Sequence, residues 1–326
     1  MLRPLPSAAK RKLWRTGAPV LGDLLRWSDR RIGIALLHHR IGDPPGDPDT
    51  DILPTLGKAD FEDQLRRVAS RYRAVHASRL PEAIATRRRG ERIPVSITFD
   101  DDLRSHRSVA APALLRQGLT ATFFLSGASL DGPYRFWWER LQDAVDRGLD
   151  VESALGPLIE VPSRESAGAR WIQELTGAIR SLDPAARADA AERLGALVGP
   201  DPADAGLRDE DVRWLVDAGF EIGFHTRHHH YLPNLDDAEL GVAMTEGRER
   251  LAAVAGRPLT SIAYPHGGVD ARVAAAARAC RFTAGFTTGA EGSTASTDPL
   301  LIGRVDPVYH GEDAFAADLG WRLLKA

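Results

Sequence analysis

Short apolar runs alternate with amphipathic stretches along most of this chain. Runs that read as strands cover residues 32–37, 95–99, 121–125, 221–224, 260–264, 282–287 and 300–305. Between them, residues 59–72 place Phe61, Leu65, Val68 and Tyr72 on one helical face, and residues 108–117 read as a helix stopped by Gly118. Further helices are predicted over 209–218, 236–254 and 271–280. Strands alternating with helices imply an α/β fold with a parallel sheet or barrel. Residues 131–206 break the rhythm: 137–147, 170–182 and the Ala-rich 184–197 are all helical, so this stretch is expected to be a helical insertion or cap. Residues 1–30 read as an appended basic segment. One domain over 31–326, interrupted by the insertion, is the expected organisation for 326 residues.

Charge changes this picture in one respect. The formal net charge of −3 hides a basic start: residues 1–40 carry nine Lys or Arg against Asp23 and Asp29, +7 in all, which leaves −10 for the remainder. An acidic body argues against a nucleic-acid binder. The basic start invites peripheral contact with an anionic membrane surface, and a solvated helix is the plainer alternative. No run of 18 apolar residues is present. Arg15, Asp23 and Arg26 interrupt any secretory h-region, so cytoplasmic residence is expected, with membrane association through residues 1–30 left open. The single cysteine, Cys280, reads as a buried structural thiol on a helix face.

Three strand ends carry candidate chemistry, at the edge where parallel α/β folds collect their functional groups. Thr98-Phe99-Asp100-Asp101-Asp102 sets three carboxylates in a row, which a cation would neutralise. A solvated acidic loop, with Asp102 capping the next helix, is the bland alternative. After 221–224 comes His225-Thr226-Arg227-His228-His229-His230. His225 and His229 have the i, i+4 spacing that brings two imidazoles to one ion if the segment turns helically, although surface histidines would read the same. Two imidazoles and a carboxylate suit Zn²⁺, Co²⁺, Ni²⁺ or Mn²⁺. His38-His39-Arg40-Ile41 ends the first strand, where a histidine serves either as a proton donor or as a satisfied core residue.

Together these elements resemble the polysaccharide deacetylases, carbohydrate esterase family 4 with its NodB-homology domain. Thr98-Phe99-Asp100-Asp101 and His225-Thr226-x-x-His229 are similar to the family's first two motifs. Ala263-Tyr264-Pro265-His266-Gly267 is similar to its third, Arg-x-Pro-Tyr-Gly, and Ala121-Thr122-Phe123-Phe124-Leu125 to its second strand. The resemblance covers roughly residues 32–130 and 207–310. It implies a distorted (β/α) barrel of about seven strands. It also implies one divalent metal, zinc first, on Asp101, His225 and His229, with Asp100 as general base. The backbone N–H of His266 would be the oxyanion donor within Tyr264, Pro265, His266 and Gly267. Many members take their general acid from a late Leu-x-His motif, for which His310 is the nearest candidate. The branch acting on poly-N-acetylglucosamine takes it from an early Tyr-His-x-Ile motif, which His38-His39-Arg40-Ile41 resembles. His39 is therefore the expected acid.

Two departures stand out. The third motif's arginine is Ala263 here, and Arg304 is the candidate to supply its charge from another strand, a surface ion pair being the alternative. Asp102 stands where the family has glycine, an extra carboxylate expected beside the metal. The implied activity is removal of an N-acetyl group from an amino sugar in a glycan, lipid-linked, nucleotide-linked or small-molecule glycoside. Tyr134, Trp137 and Trp138 could stack on the sugar or pack the cap. A hydrolase of a non-sugar amide or cyclic imide, and a non-catalytic saccharide binder, are the competing readings.

Overall fold

The computed structural model describes residues 24–307 and 312–326. The basic segment expected at residues 1–30 therefore lies mostly outside the described residues, as does His310. Six strands form a parallel run in chain order: β1 (Ile32–His38), β2 (Pro94–Asp100), β3 (Thr122–Leu125), β4 (Glu221–Phe224), β5 (Ser261–Ala263) and β6 (Ala284–Phe286). A seventh, β7 (Arg304–Val305), pairs parallel with β1, and Ile302 just before it bridges to Phe286 of β6. The path thus returns to its start as a distorted (β/α) barrel. Its strands are apolar on both faces because side chains fill the inside while helices cover the outside; every residue of β1, β2 and β3 is buried.

The expected helices are present, with instructive exceptions. α1 (Lys58–Arg71) buries Phe61, Leu65 and Val68 as its spacing predicts. The helix expected over 108–117 opens instead with a π-helical turn, His106–Ala110, ahead of α2 (Ala111–Arg116). The three longest helices of the insertion are α3 (Trp137–Asp146), α4 (Trp171–Ser181) and α5 (Pro184–Val198). α6 (Asp209–Asp217) leads into β4. The long helix expected over 236–254 is two, α7 (Asp237–Thr245) and α8 (Arg248–Ala255), because Gly247 between them takes a left-handed conformation at φ 76°. α9 (Ala271–Ala279) stops one residue before Cys280, which sits half-buried at its C-cap instead of on the helix face. α10 (Glu312–Lys325) was not expected, yet Phe315, Leu319 and Leu323 recur every four residues and join the main core.

The apolar interior has two large parts and a smaller cluster around Ala35, Phe124, Phe286 and Ile302. The main core gathers the strands and their flanking helices, including Phe61, Phe99, Phe123 and Phe224. A second core belongs to the insertion, where Phe136, Trp137, Trp138, Leu141, Trp171, Leu175, Ile179 and Leu194 pack together. Among the described residues no helix is long and apolar enough to cross a membrane.

Candidate metal centre and its cavity

The C-terminal ends of β2, β4 and β5 deliver the three sequence motifs to one place. Asp100 is the last residue of β2 and its carboxylate is buried. Arg304 of β7 arrives fully buried and grips it with two hydrogen bonds: Nη1 donates to Oδ1 at 2.6 Å and Nη2 to Oδ2 at 2.7 Å. Arg304 Nε also donates to the Thr287 carbonyl, and Nη1 to Thr98 Oγ1, so the guanidinium has a fixed fork geometry. Burial would push the Asp100 carboxyl up, but Arg304 above all, with His225 and His39, holds it down at about 2. It is an ionised, immobilised carboxylate.

The next residue turns the other way. Asp101 has φ 73°, the left-handed region that costs a non-glycine residue roughly 1–2 kcal/mol. Thr226 (φ 51°), His229 (φ 49°) and His266 (φ 57°) share that conformation, so each motif loop stores strain where its side chains meet. The histidine loop is consequently an irregular turn and not the helical turn assumed from the i, i+4 spacing; His225 and His229 converge through two left-handed residues. His225 Nε2 lies 3.7 Å from Asp101 Oδ1, and His229 Nε2 3.6 Å from the same oxygen. Asp101, His225 and His229 offer three donor atoms within 4.8 Å of one another, all three side chains buried.

These residues fit a divalent cation. Asp101 Oδ1 is buried with no hydrogen-bond partner among the described residues, an arrangement that is costly unless a cation takes the charge. His225 Nδ1 is held by the Ala263 carbonyl at 2.8 Å, which leaves Nε2 aimed at the site, the usual arrangement behind a metal-ligating histidine. Burial lowers the pKa of both imidazoles, keeping them in the neutral, ligating form; for His229 the neighbouring His266 and His225 add to it. Burial, Asp100 and Glu139 raise Asp101 well above the carboxylate range while no cation is there.

Asp102 departs from expectation. The reversal at Asp101 sends its carboxylate away from the site, where it accepts from Ser126 N and Oγ, Gly127 N, and Ser129 N and Oγ at 2.8–3.3 Å. It neither caps the next helix nor stands beside the three donors; it organises the loop after β3.

The three donors open on a cavity of about 500 Å³, which His39, Asp100, Asp306, His266, Gly267 and Arg304 also line. His39 reaches it from the residue after β1, its pKa lowered by burial against the pull of Asp100 and Asp306. His266 presents its ring 4.5 Å from that of His229. Gly267, at φ 70°, has no room for a side chain: a Cβ would lie 2.1 Å from Thr288 Oγ1. Tyr264 and Pro265, grouped with the substrate-facing residues on the family pattern, do not line this cavity; Tyr264 is fully buried and donates its hydroxyl to the Leu300 carbonyl.

The insertion supplies the opposite wall, Trp137, Trp138, Gln173, Thr176 and Arg180, together with Ile52 and Leu53 from the loop after β1. Trp138 packs on the His229 ring at 4.6 Å and on Phe136 at 4.2 Å. Tyr134 faces a different cavity, beside Arg135 and Gly206. Sequence reasoning missed the α4 residues of this wall, although Gln173, Thr176 and Arg180 sit at i, i+3 and i+7, a polar stripe opposite the apolar Trp171, Ile172, Leu175 and Ile179.

Residues 191–285, which include both histidines and the third motif, match the family model for polysaccharide deacetylase. The fold is similar to the Streptococcus pyogenes deacetylase PplD, solved in complex with acetate, with a TM-score of 0.59 at 15% identity over 90% of this chain and 98% of that one. IcaB from Ammonifex degensii aligns with a TM-score of 0.55 at 17% identity, over 91% of this chain and 98% of its own. A de-N-acetylase from Aggregatibacter actinomycetemcomitans gives 0.54 at 13% identity, over 88% and 99%. These likenesses establish the fold. No curated protein sequence matches the chain.

Proposed function

We propose that this chain, whose residues 191–285 match the family model for polysaccharide deacetylase, is a metal-dependent hydrolase that removes the N-acetyl group from an N-acetylated amino sugar. The observation that carries the reading is the trio Asp101, His225 and His229, three buried donors converging beside an ionised Asp100. They would hold one divalent cation, zinc first and Co²⁺, Ni²⁺ or Mn²⁺ as alternatives, leaving coordination positions open. When bound, such a cation supplies a Lewis acid for the acetyl carbonyl and an acidified water.

The chain's own groups do the rest. Asp100, locked by Arg304, is positioned to accept the attacking water's proton and stays charged at every working pH. The backbone N–H of His266, in its left-handed turn at the cavity wall, is the proposed donor to the oxyanion. As the C–N bond breaks, the amine nitrogen must gain a proton, and His39 is the proposed donor. The products are acetate and the free amino sugar. The enclosing walls keep bulk water from these charges, which strengthens each interaction.

The test is acetate release from N-acetylglucosamine-containing oligomers, nucleotide sugars and lipid-linked forms, with and without chelator, and with Asp100→Asn as control. Release requiring both metal and Asp100 is expected. Bound metal without acetate from any sugar would move the reading to a non-sugar amide or cyclic imide.

A further inference from the structure

The wall that the insertion presents to the cavity has an unbalanced charge. α4 turns Gln173, Thr176 and Arg180 towards the cavity and buries Trp171, Ile172, Leu175 and Ile179 in the second core. Gln173 and Thr176 already have partners: Gln173 Nε2 donates to the Asp51 carbonyl at 2.9 Å, and Thr176 Oγ1 to the Ile172 carbonyl at 2.6 Å. Arg180 has neither an ion pair nor a side-chain hydrogen bond among the described residues, and it is exposed to the cavity. The other two guanidiniums there are occupied, Arg304 by Asp100 and Arg322 by Asp318 at 2.7 Å.

The cavity as a whole has the same sign. Counting Asp318 beside Arg322, its acids Asp100, Asp101, Asp306 and Asp318 exceed Arg180, Arg304 and Arg322 by one, so a divalent cation on Asp101, His225 and His229 leaves it positive by one. Arg187 of α5 adds to this from behind. It is buried, has no carboxylate within ion-pair distance among the described residues, and donates to the ring of His230. A concave, partly dry site with excess positive charge selects anions.

We propose that Arg180 is a specificity-determining residue that takes an anionic substituent, phosphate or carboxylate, on the N-acetylated sugar. The sugar rests on the function proposed above; the anion contact can be measured without turnover. Arg180 delivers a planar fork suited to two oxygens, from a helix rigidly packed in its own core. The acetyl end of the ligand meets the strand ends while its charged end meets the insertion, so a neutral sugar leaves Arg180 without a partner.

Trp137 and Trp138 in the cavity wall allow binding to be followed by intrinsic fluorescence. The metal-loaded protein and Arg180→Gln would be titrated with N-acetylglucosamine, its 1-phosphate and 6-phosphate, and N-acetylmuramic acid, and kcat/KM for acetate release measured on the same panel. At least one anionic sugar should bind about tenfold more tightly than the neutral one, the preference shrinking with added salt. Arg180→Gln should erase that preference, leave the neutral sugar unaffected, and Arg180→Lys should restore part of it. The favoured arm tells phosphate from carboxylate. Absence of any anionic preference, or a preference that survives Arg180→Gln, overturns the proposal. Acetate from neutral sugars without anionic preference would sink this inference alone. An Arg180-dependent preference with no acetate from any sugar would sink the deacetylase reading alone.

Discussion

His225 and His229 are four residues apart, yet two different regions of the molecule hold them. The barrel fixes His225 through a hydrogen bond from Nδ1 to the Ala263 carbonyl of β5. His229 Nδ1 is buried without a hydrogen-bond partner among the described residues, and its ring is instead boxed in by Trp138 and Phe136 of the insertion and by His266. One of these proposed ligands is set by a directional bond and the other by packing. The insertion therefore supports the candidate metal centre without offering a donor of its own, and its hold should be the softer of the two, because apolar contact lacks the angular preference of a hydrogen bond.

The severest break is removal of a donor from the barrel side. Asp101→Asn keeps the left-handed backbone, which asparagine tolerates, but removes the charge. We expect loss of stoichiometric metal by elemental analysis and a fall in kcat of about 10³-fold or more, since nucleophile and electrophile vanish together. Retained metal with retained turnover would show that the site lies elsewhere. Arg304→Gln comes next. It strips the pairing that holds Asp100 near 2, so the Asp100 pKa rises and the acid limb of kcat/KM against pH moves to higher pH. The stability consequence has the same origin. A depressed carboxyl stabilises the fold above its unfolded pKa and loses that contribution as pH falls through its folded value, so wild type should resist acid down towards pH 2 and Arg304→Gln should not. Leaving the buried carboxylate unpaired costs about 3–5 kcal/mol, readable in a urea melt. Trp138→Ala then probes the insertion's hold on His229. Metal affinity should fall by roughly 10–100-fold, as for loss of other supporting groups around metal ligands, while Trp138→Phe keeps most of it. Unchanged affinity in Trp138→Ala would mean that the barrel holds both histidines alone.

Much of this was legible in the sequence because it is local. Strand positions follow from apolar runs, and the trio Asp101, His225 and His229 follows from motif residues at strand ends, where the fold must bring them together. What was missed depends on the backbone's direction or on distant partners. The reversal at Asp101 separates neighbours in the chain, and nothing in three consecutive aspartates announces a left-handed middle residue. Convergence of His225 and His229 was foreseen for the wrong reason, a helical turn in place of two left-handed residues. That Arg304 meets Asp100 was offered only through the family's third motif, because the contact, 204 residues apart in sequence, depends on β7 lying beside β1. The single helix expected over 236–254 took no account of Gly247, whose left-handed conformation divides it.

The smallest expected effect on chemistry comes from a residue adjacent to the metal donors. Asp102 accepts from Ser126, Gly127 and Ser129, at the point where the chain leaves β3 for the insertion. Ser129 Oγ in turn accepts from Leu207 N at 3.1 Å and lies 2.7 Å from the Leu207 carbonyl, sharing its one proton between that oxygen and Asp102, where the chain comes back. Asp102 thus clasps both ends of the insertion to the barrel, by charge-assisted bonds in a buried setting. Asp102→Asn replaces an oxygen that accepts from several donors with an amide N–H that must face them, at a cost of about 3 kcal/mol. The unfolding free energy from a urea melt should drop by that much, read as a lower midpoint at an unchanged slope. Because the carboxylate faces away from Asp101, metal content and kcat per folded molecule should stay within about twofold of wild type, as for independent sites. A large loss of metal with the fold intact would instead place Asp102 in the charge balance of the centre. It would also make the barrel and the insertion less separable than their two cores suggest.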